Sequence, residues 1–249
     1  MLGRIRGLTG RRLIAAVLGG GLILAVIAFL VIYFVLFPTS SPKPFKLTVA
    51  TNPASTAGTA PTAGNTAAGS LTGRWRIASG SLAGYRVREK LAFLPAQSDA
   101  VGRTSQITGS ASFAQAGDQL TISAATFSVN VLSLQSDRSM RDEKIRQIGL
   151  ESERYPTAVF ALSSPLRLSR AAIEGKVAHV RATGTFEIHG VTKSETLPLE
   201  LSLAGSTFEA AGSLTFPWGE FAMTAPSIGG FVNVTPAATL EFDLRLQQG

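Results

Sequence analysis

Residues 177–216 read VAHVRATGTFEIHGVTKSETLPLELSLAGSTFEAAGSLTF, and their side chains sort into two sets by parity. Ala182, Gly184, Phe186 and Ile188 share one face, as do Leu197, Leu199, Leu201 and Leu203, then Phe208, Ala210, Gly212, Leu214 and Phe216. Arg181, Thr183, Thr185, Glu187, Glu200 and Ser202 fall on the other. A period of two with one apolar and one polar side is the signature of an antiparallel sheet packed on one face only.

The pattern extends in both directions. Leu240, Phe242, Leu244 and Leu246 alternate with Glu241, Asp243 and Arg245. Upstream, Arg74–Ile77, Tyr85–Phe93, Ser105–Phe113, Gln119–Val131 and Thr157–Leu162 have strand composition between Gly, Pro, Ser and Asp turn residues. The residues so far predict an all-β fold of about eight strands. Short connections favour closure into an antiparallel barrel, because closure removes exposed edges. A barrel of that size encloses room for one narrow ligand, and the small inward residues Ala111, Ala182, Gly184, Ala210 and Gly212 hint at unfilled volume. The same dry face would equally serve a filled core, and the pattern alone leaves the two open. One short helical insertion interrupts the strands. Residues 136–156 carry Asp137 as a candidate N-cap, Met140, Ile145, Ile148 and Leu150 as apolar contacts and Pro156 as a stop, so this segment reads as a charged helix lidding the barrel.

The N-terminal quarter is different in kind. Residues 13–37, LIAAVLGGGLILAVIAFLVIYFVLF, contain no charge, and as a helix they would reach roughly 37 Å, enough for a bilayer core. The run is longer than the apolar part of a cleaved signal and is followed by PTSSPKPFK, so a single transmembrane anchor is expected. Arg4, Arg6, Arg11 and Arg12 in residues 1–12 place the N-terminus in the cytoplasm and the remainder outside the cell membrane. Residues 38–73, rich in Pro, Thr, Ser, Ala and Gly, read as a flexible linker, in which Phe45–Val49 is a short apolar patch able to meet the membrane surface. Residues 74–249 form the exported domain.

Charge and chemistry narrow the function. The formal net charge is +7, but four arginines precede the apolar run and Lys43 and Lys46 follow it, leaving 17 basic against 16 acidic residues from position 74 onward. A nearly neutral domain gives no basis for nucleic-acid binding. The chain has no cysteine, which excludes disulfides and thiolate metal sites. His179 and His189 are the only histidines and both are expected on outward strand positions, with no acid at metal spacing. Neither a nucleophile elbow nor a phosphate loop is present, so no metal, cofactor or catalytic constellation is assigned and the expectation is a binding protein, not an enzyme.

Four ordered motifs resemble those of the YceI-like family. They are Arg74-Trp75-Arg76-Ile77 with Tyr85-Arg86-Val87; Arg141-Asp142-Glu143-Lys144 with Tyr155-Pro156-Thr157-Ala158-Val159-Phe160; Gly184-Thr185-Phe186-Glu187-Ile188-His189-Gly190-Val191-Thr192; and Phe221-Ala222-Met223. The chain departs from the family's pattern in its N-terminal anchor and in having Leu82-Ala83-Gly84 where a histidine is common in the first strands. The resemblance implies a lipocalin-like barrel that holds a polyisoprenoid or isoprenoid quinone. On that reading Phe113, Phe127, Val129, Phe160, Phe186, Phe216 and Met223 form the wall around a long apolar tail, and Arg141 and Lys144 meet a polar head group at the mouth. The competing reading is a cell-envelope interaction or stress-related module with a filled core and no ligand. The oligomeric state stays open, a dimer included.

Overall fold

A computed structural model describes Leu24, Ile27 and residues 41–47, 70–91, 97–227 and 232–249. The chain divides into two units, Met1–Ser41 and Pro42–Gly249, and the second carries the barrel. Leu24 and Ile27 are helical and exposed; the rest of residues 13–37 lies outside the described residues, as does most of the 38–73 linker. Among the described residues no helix is long and apolar enough to cross a membrane.

The second unit is an antiparallel sheet built from β1 (Gly73–Ile77), β2 (Leu82–Leu91), β3 (Gln97–Thr104), β4 (Ile107–Ala116), β5 (Gln119–Asn130), β6 (Thr157–Leu162), β7 (Leu166–Leu168), β8 (Ala178–Ile188), β9 (Val191–Ala204), β10 (Thr207–Pro217), β11 (Val232–Val234) and β12 (Ala237–Gln248). Eight of these close a circuit in the order β1-β4-β5-β6-β8-β9-β10-β12, with β12 pairing back onto β1. Strand β12 is long enough to take two partners on one side. Ile77–Trp75 of β1 pairs with Leu246–Gln248, whereas Leu82–Arg86 of β2 pairs with Thr239–Asp243. Strand β3 then extends the wall from β2, and Gln135 bridges it to the lid through paired backbone hydrogen bonds with Arg103 of 2.9 and 3.0 Å.

Three strands have no counterpart in the sequence reading. Gln97–Thr104 (QSDAVGRT) is polar and weakly alternating, and it forms because β2 offers a full edge for it to pair with. Tyr85 lies across from Gly102, where a Cβ would stand 2.3 Å from the ring, so the glycine gives the ring its place. Strands β7 and β11, three residues each, are too short to show a period.

Two aromatic clusters pack the interior. Trp75, Phe113 and Phe208 meet with ring centroids 4.9 to 6.4 Å apart, and the Trp75 indole donates to the Leu71 carbonyl at 3.0 Å. In the other, Phe216 and Phe221 meet edge to face at 4.8 Å beside Trp218, whose indole donates to the Thr235 carbonyl at 3.0 Å. Burying each indole with its N–H satisfied yields the apolar stabilisation without an unpaired donor.

The helical insertion is shorter and less regular than expected. Helix α1 spans Ser139–Lys144 and continues into a wider, π-type turn over Ile145–Gly149; a second short helix, α2, covers Arg170–Ile173. Asp137 is not the cap: the N-cap position belongs to Arg138, whose side chain makes no capping bond, and Asp137 instead pairs with Arg141 and Arg138. A guanidinium one turn along competes for the carboxylate more strongly than the helix N–H groups do. Met140, expected as an apolar contact, is 69% exposed, while Ile145 is buried beneath the lid.

Part of the linker is docked. In residues 42–47 the carbonyls of Pro42 and Lys43 each accept from a guanidinium, of Arg86 and Arg103 respectively, at 2.7 Å; the Arg103 guanidinium stacks 3.9 Å over the Phe45 ring; and Leu47 N–H donates to Glu200 at 2.8 Å. This segment is therefore not free tether, and Phe45 faces Arg103. Composition counts polar and small residues but not the carbonyls that a Pro-Lys-Pro backbone presents to waiting arginines.

Candidate functional site: an apolar chamber under a polar lid

The inward faces do not all meet one another. They leave a chamber of about 160 Å³. Among the described residues no charged side chain lines it. All seven apolar residues expected from the sequence, Phe113, Phe127, Val129, Phe160, Phe186, Phe216 and Met223, are in its wall.

The small inward residues divide into two kinds. Ala111, Ala182 and Ala210 border the chamber. Gly184 and Gly212 do not create space: a Cβ at Gly184 would stand 2.2 Å from the Phe160 ring, and one at Gly212 would stand 2.7 Å from Leu199 and 2.8 Å from Phe242. Missing side chains there are filled from neighbouring strands, whereas missing volume opposite the alanines is left open.

The lid contributes wall residues beyond those seven. Val131, Leu134, Ile145 and Leu150 from residues 131–150 and Trp218 from the turn after β10 border the chamber. Ile145 and Leu150 are two of the apolar contacts expected of the charged segment, whereas Val131, Leu134 and Trp218 are not among the expected wall residues. Outside the same lid runs a polar cleft lined by Gln135, Ser136, Asp137, Arg138, Ser139, Asp142 and Arg146, and Leu134 borders both spaces.

Arg141 and Lys144 line neither the chamber nor the cleft. The Arg141 guanidinium is forked onto Glu89, Nε to Oε1 and Nη2 to Oε2, both at 3.0 Å, and also contacts Asp137. Burial works against its charge, but the hydrogen bonds and charges of Glu89 and Asp137 outweigh that and raise its pKa. Its task is to pin α1 to β2. Lys144 is half-buried at the end of the same helix.

Tyr85 is the wall's one phenol. Its Oη is buried without a hydrogen-bond partner; Ser136 flanks it without reaching hydrogen-bond geometry. Burial, then the Asp142 carboxylate, push its pKa well above the ordinary tyrosine value. His189 departs from the outward strand position expected of it. It occupies the β8–β9 turn at φ 54°, is 7% exposed, and places Nδ1 3.2 Å from the Phe221 carbonyl and Nε2 3.1 Å from Glu151. The ring ties two turns and the segment after β10 together, a structural use of histidine. His179 is exposed, as the strand parity predicts, 3.9 Å from Glu200. Among the described residues no cluster of His, Asp and Glu could hold a metal ion.

Comparison with solved structures finds the same fold at low identity. A polyisoprenoid-binding domain from Saccharophagus degradans, implicated in plant cell wall breakdown, is 15% identical with a TM-score of 0.53, over 72% of this chain and 99% of that one. BcnA of Burkholderia cenocepacia is 17% identical with a TM-score of 0.47, over 66% and 95% of the two chains. The YceI protein of Campylobacter jejuni is 15% identical with a TM-score of 0.48, over 59% and 84%. No protein of curated function matches the chain in sequence. The family model for the YceI-like domain matches residues 75–246, nearly the whole barrel from the Trp75 strand to the end of β12, and the chain belongs to the YceI-like family.

Proposed function

We propose that this domain binds a long-chain amphiphilic lipid, a polyisoprenoid or an isoprenoid quinone, with the tail in the chamber, and that it does so outside the cell membrane while tethered to it by residues 13–37. The observation that carries the reading is a chamber bordered by aliphatic and aromatic side chains, with no charge on its wall. Each methylene moved from water into such a space contributes about 0.8 kcal/mol, so an apolar chain is the occupant that gains most. The name of the Saccharophagus domain, a polyisoprenoid-binding one, supports the choice of chain. The tether rests on the length and charge asymmetry of the N-terminal run.

The rival module with a filled core loses its premise where a chamber is present. A catalytic role has no support from side-chain chemistry, since the wall offers one unpartnered phenol and no acid, base or nucleophile pair. The deciding experiment is mass spectrometry of organic extracts from the full chain purified out of native membranes. A stoichiometric isoprenoid that is depleted from extracts of a chamber-filled variant supports the reading; protein that never carries lipid defeats it.

A further inference from the structure

Residues 42–47 lie across the outer face of the barrel wall as an extended strap. Arg86 of β2 donates to the Pro42 carbonyl, Arg103 of β3 donates to the Lys43 carbonyl, and the Leu47 N–H donates to Glu200 of β9. Strands β12 and β10 stand between those anchors, in the order β3-β2-β12-β10-β9. The strap alternates as a strand does: Phe45 and Leu47 are half-buried, whereas Pro44 and Lys46 are exposed. The face beneath is built to receive a backbone. Glu241, 2% exposed, holds Arg86 at 3.0 Å and Arg103 at 2.8 Å, and Asp99 takes another Arg86 nitrogen at 3.1 Å. Both guanidinium groups are thus fixed by the barrel itself, each with N–H capacity left for a carbonyl. Ala211 of β10, in register between Asp243 and Glu200, presents only a methyl group to this face. The strap is held by three hydrogen bonds and one cation–π stack, so it can lift off without opening the barrel.

We infer that this outer face is a peptide-docking groove whose occupant is residues 42–47 of the same chain, and that seating them sets the working length of the tether. The inference rests on the membrane-tethered reading above. With the strap seated, residues 38–41 alone separate it from the apolar run, and four residues extend to at most about 14 Å. With the strap released, all of residues 38–73 count, and a chain of that length reaches roughly 30 Å on average and much farther at full extension. The cost of closing residues 48–69 into a loop rises only with the logarithm of loop length, so it does not prevent seating. The chain therefore carries a short leash and a long one, and six residues on the outer wall choose between them.

The test uses the full chain in phosphatidylcholine nanodiscs that contain an acceptor-labelled lipid. The chain has no cysteine, so Lys176→Cys at an exposed position carries a donor dye alone, and energy transfer reads the leash. Hydrogen–deuterium exchange at the Leu47 amide reads the strap in the same samples. The parent should show a protected Leu47 amide and efficient transfer. The double variant Phe45→Ala with Glu200→Ala removes the stack and the acceptor while leaving that amide in place. Its exchange should rise about tenfold and its transfer fall by about half or more, with the melting of the barrel unchanged. Lys46→Ala, on the exposed side of the strap, should alter neither reading. A Leu47 amide that is unprotected in the parent, or still protected in the double variant, would overturn the groove. Transfer that stays constant once protection is lost would overturn the leash. A full chain that does not enter nanodiscs would overturn the tethered reading and the leash with it, while protection at Leu47 would still identify the occupant of the groove.

Discussion

Glu241 and Arg103 are joined at 2.8 Å on the outer side of the barrel wall, where the carboxylate is only 2% exposed. Glu241 also receives Arg86 at 3.0 Å, and both arginines hold the backbone of residues 42–43 on their other side. Strand parity places Glu241 on the face away from the chamber, but that face is covered here: Ala211 and Ser202, of the same parity, are buried too.

Removing the centre of this network leaves two partly buried guanidinium groups facing each other. Glu241→Ala should therefore lower the stability of the barrel by about 3 kcal/mol, read from urea denaturation. Glu241→Gln, which keeps one acceptor, should cost less. Equal stability of Glu241→Ala and the parent would mean that the network contributes nothing net.

The docked segment can be tested by its resistance to cleavage. Trypsin should cut slowly at the Lys46–Leu47 bond while Phe45 lies under Arg103. Phe45→Ala removes a cation–π contact of about 1 kcal/mol and should speed that cleavage several-fold without changing the melting of the barrel. An unchanged rate would show that the segment is held by its backbone bonds alone.

Asp243 carries a pH dependence of definite sign. Burial raises its pKa, and Arg245 and Arg103 offset this only in part. A carboxyl whose pKa is raised in the fold adds stability below its unfolded value, near 3.9, and loses it as pH rises through the folded one. Asp243→Asn should thus raise the melting temperature at pH 7, with the gain shrinking as pH falls below about 4. A gain that is the same at both pH values would assign it to something other than ionisation.

Chamber volume is addressed most cleanly at Ala210, which borders the chamber and is only partly buried. A ring placed there by Ala210→Phe enters open space, so the cost of overpacking should stay within about 1 kcal/mol. Retained lipid should fall by roughly tenfold, measured against the parent in the same extract. Undiminished lipid would place the ligand elsewhere.

The amino-acid sequence determined the strands with strong alternation and their inward sets, and with them the six wall residues that lie on strands, because a period of two maps directly onto the faces of a sheet; Met223, beyond β10, came from a motif instead. It also excluded disulfides and thiolate metal sites, because the chain has no cysteine. What only tertiary structure decided concerns partners brought from elsewhere in the chain. Glu89, 52 residues before Arg141, takes its guanidinium away from any ligand; Phe160 and Phe242 fill the gaps beside Gly184 and Gly212 while the alanines' gaps stay open; and Arg86 and Arg103 capture carbonyls 44 and 60 residues away. Alternation reports which side a residue faces, but what stands opposite it is set by closure of the barrel, and the chamber, the lid and the buried Glu241 all depend on that.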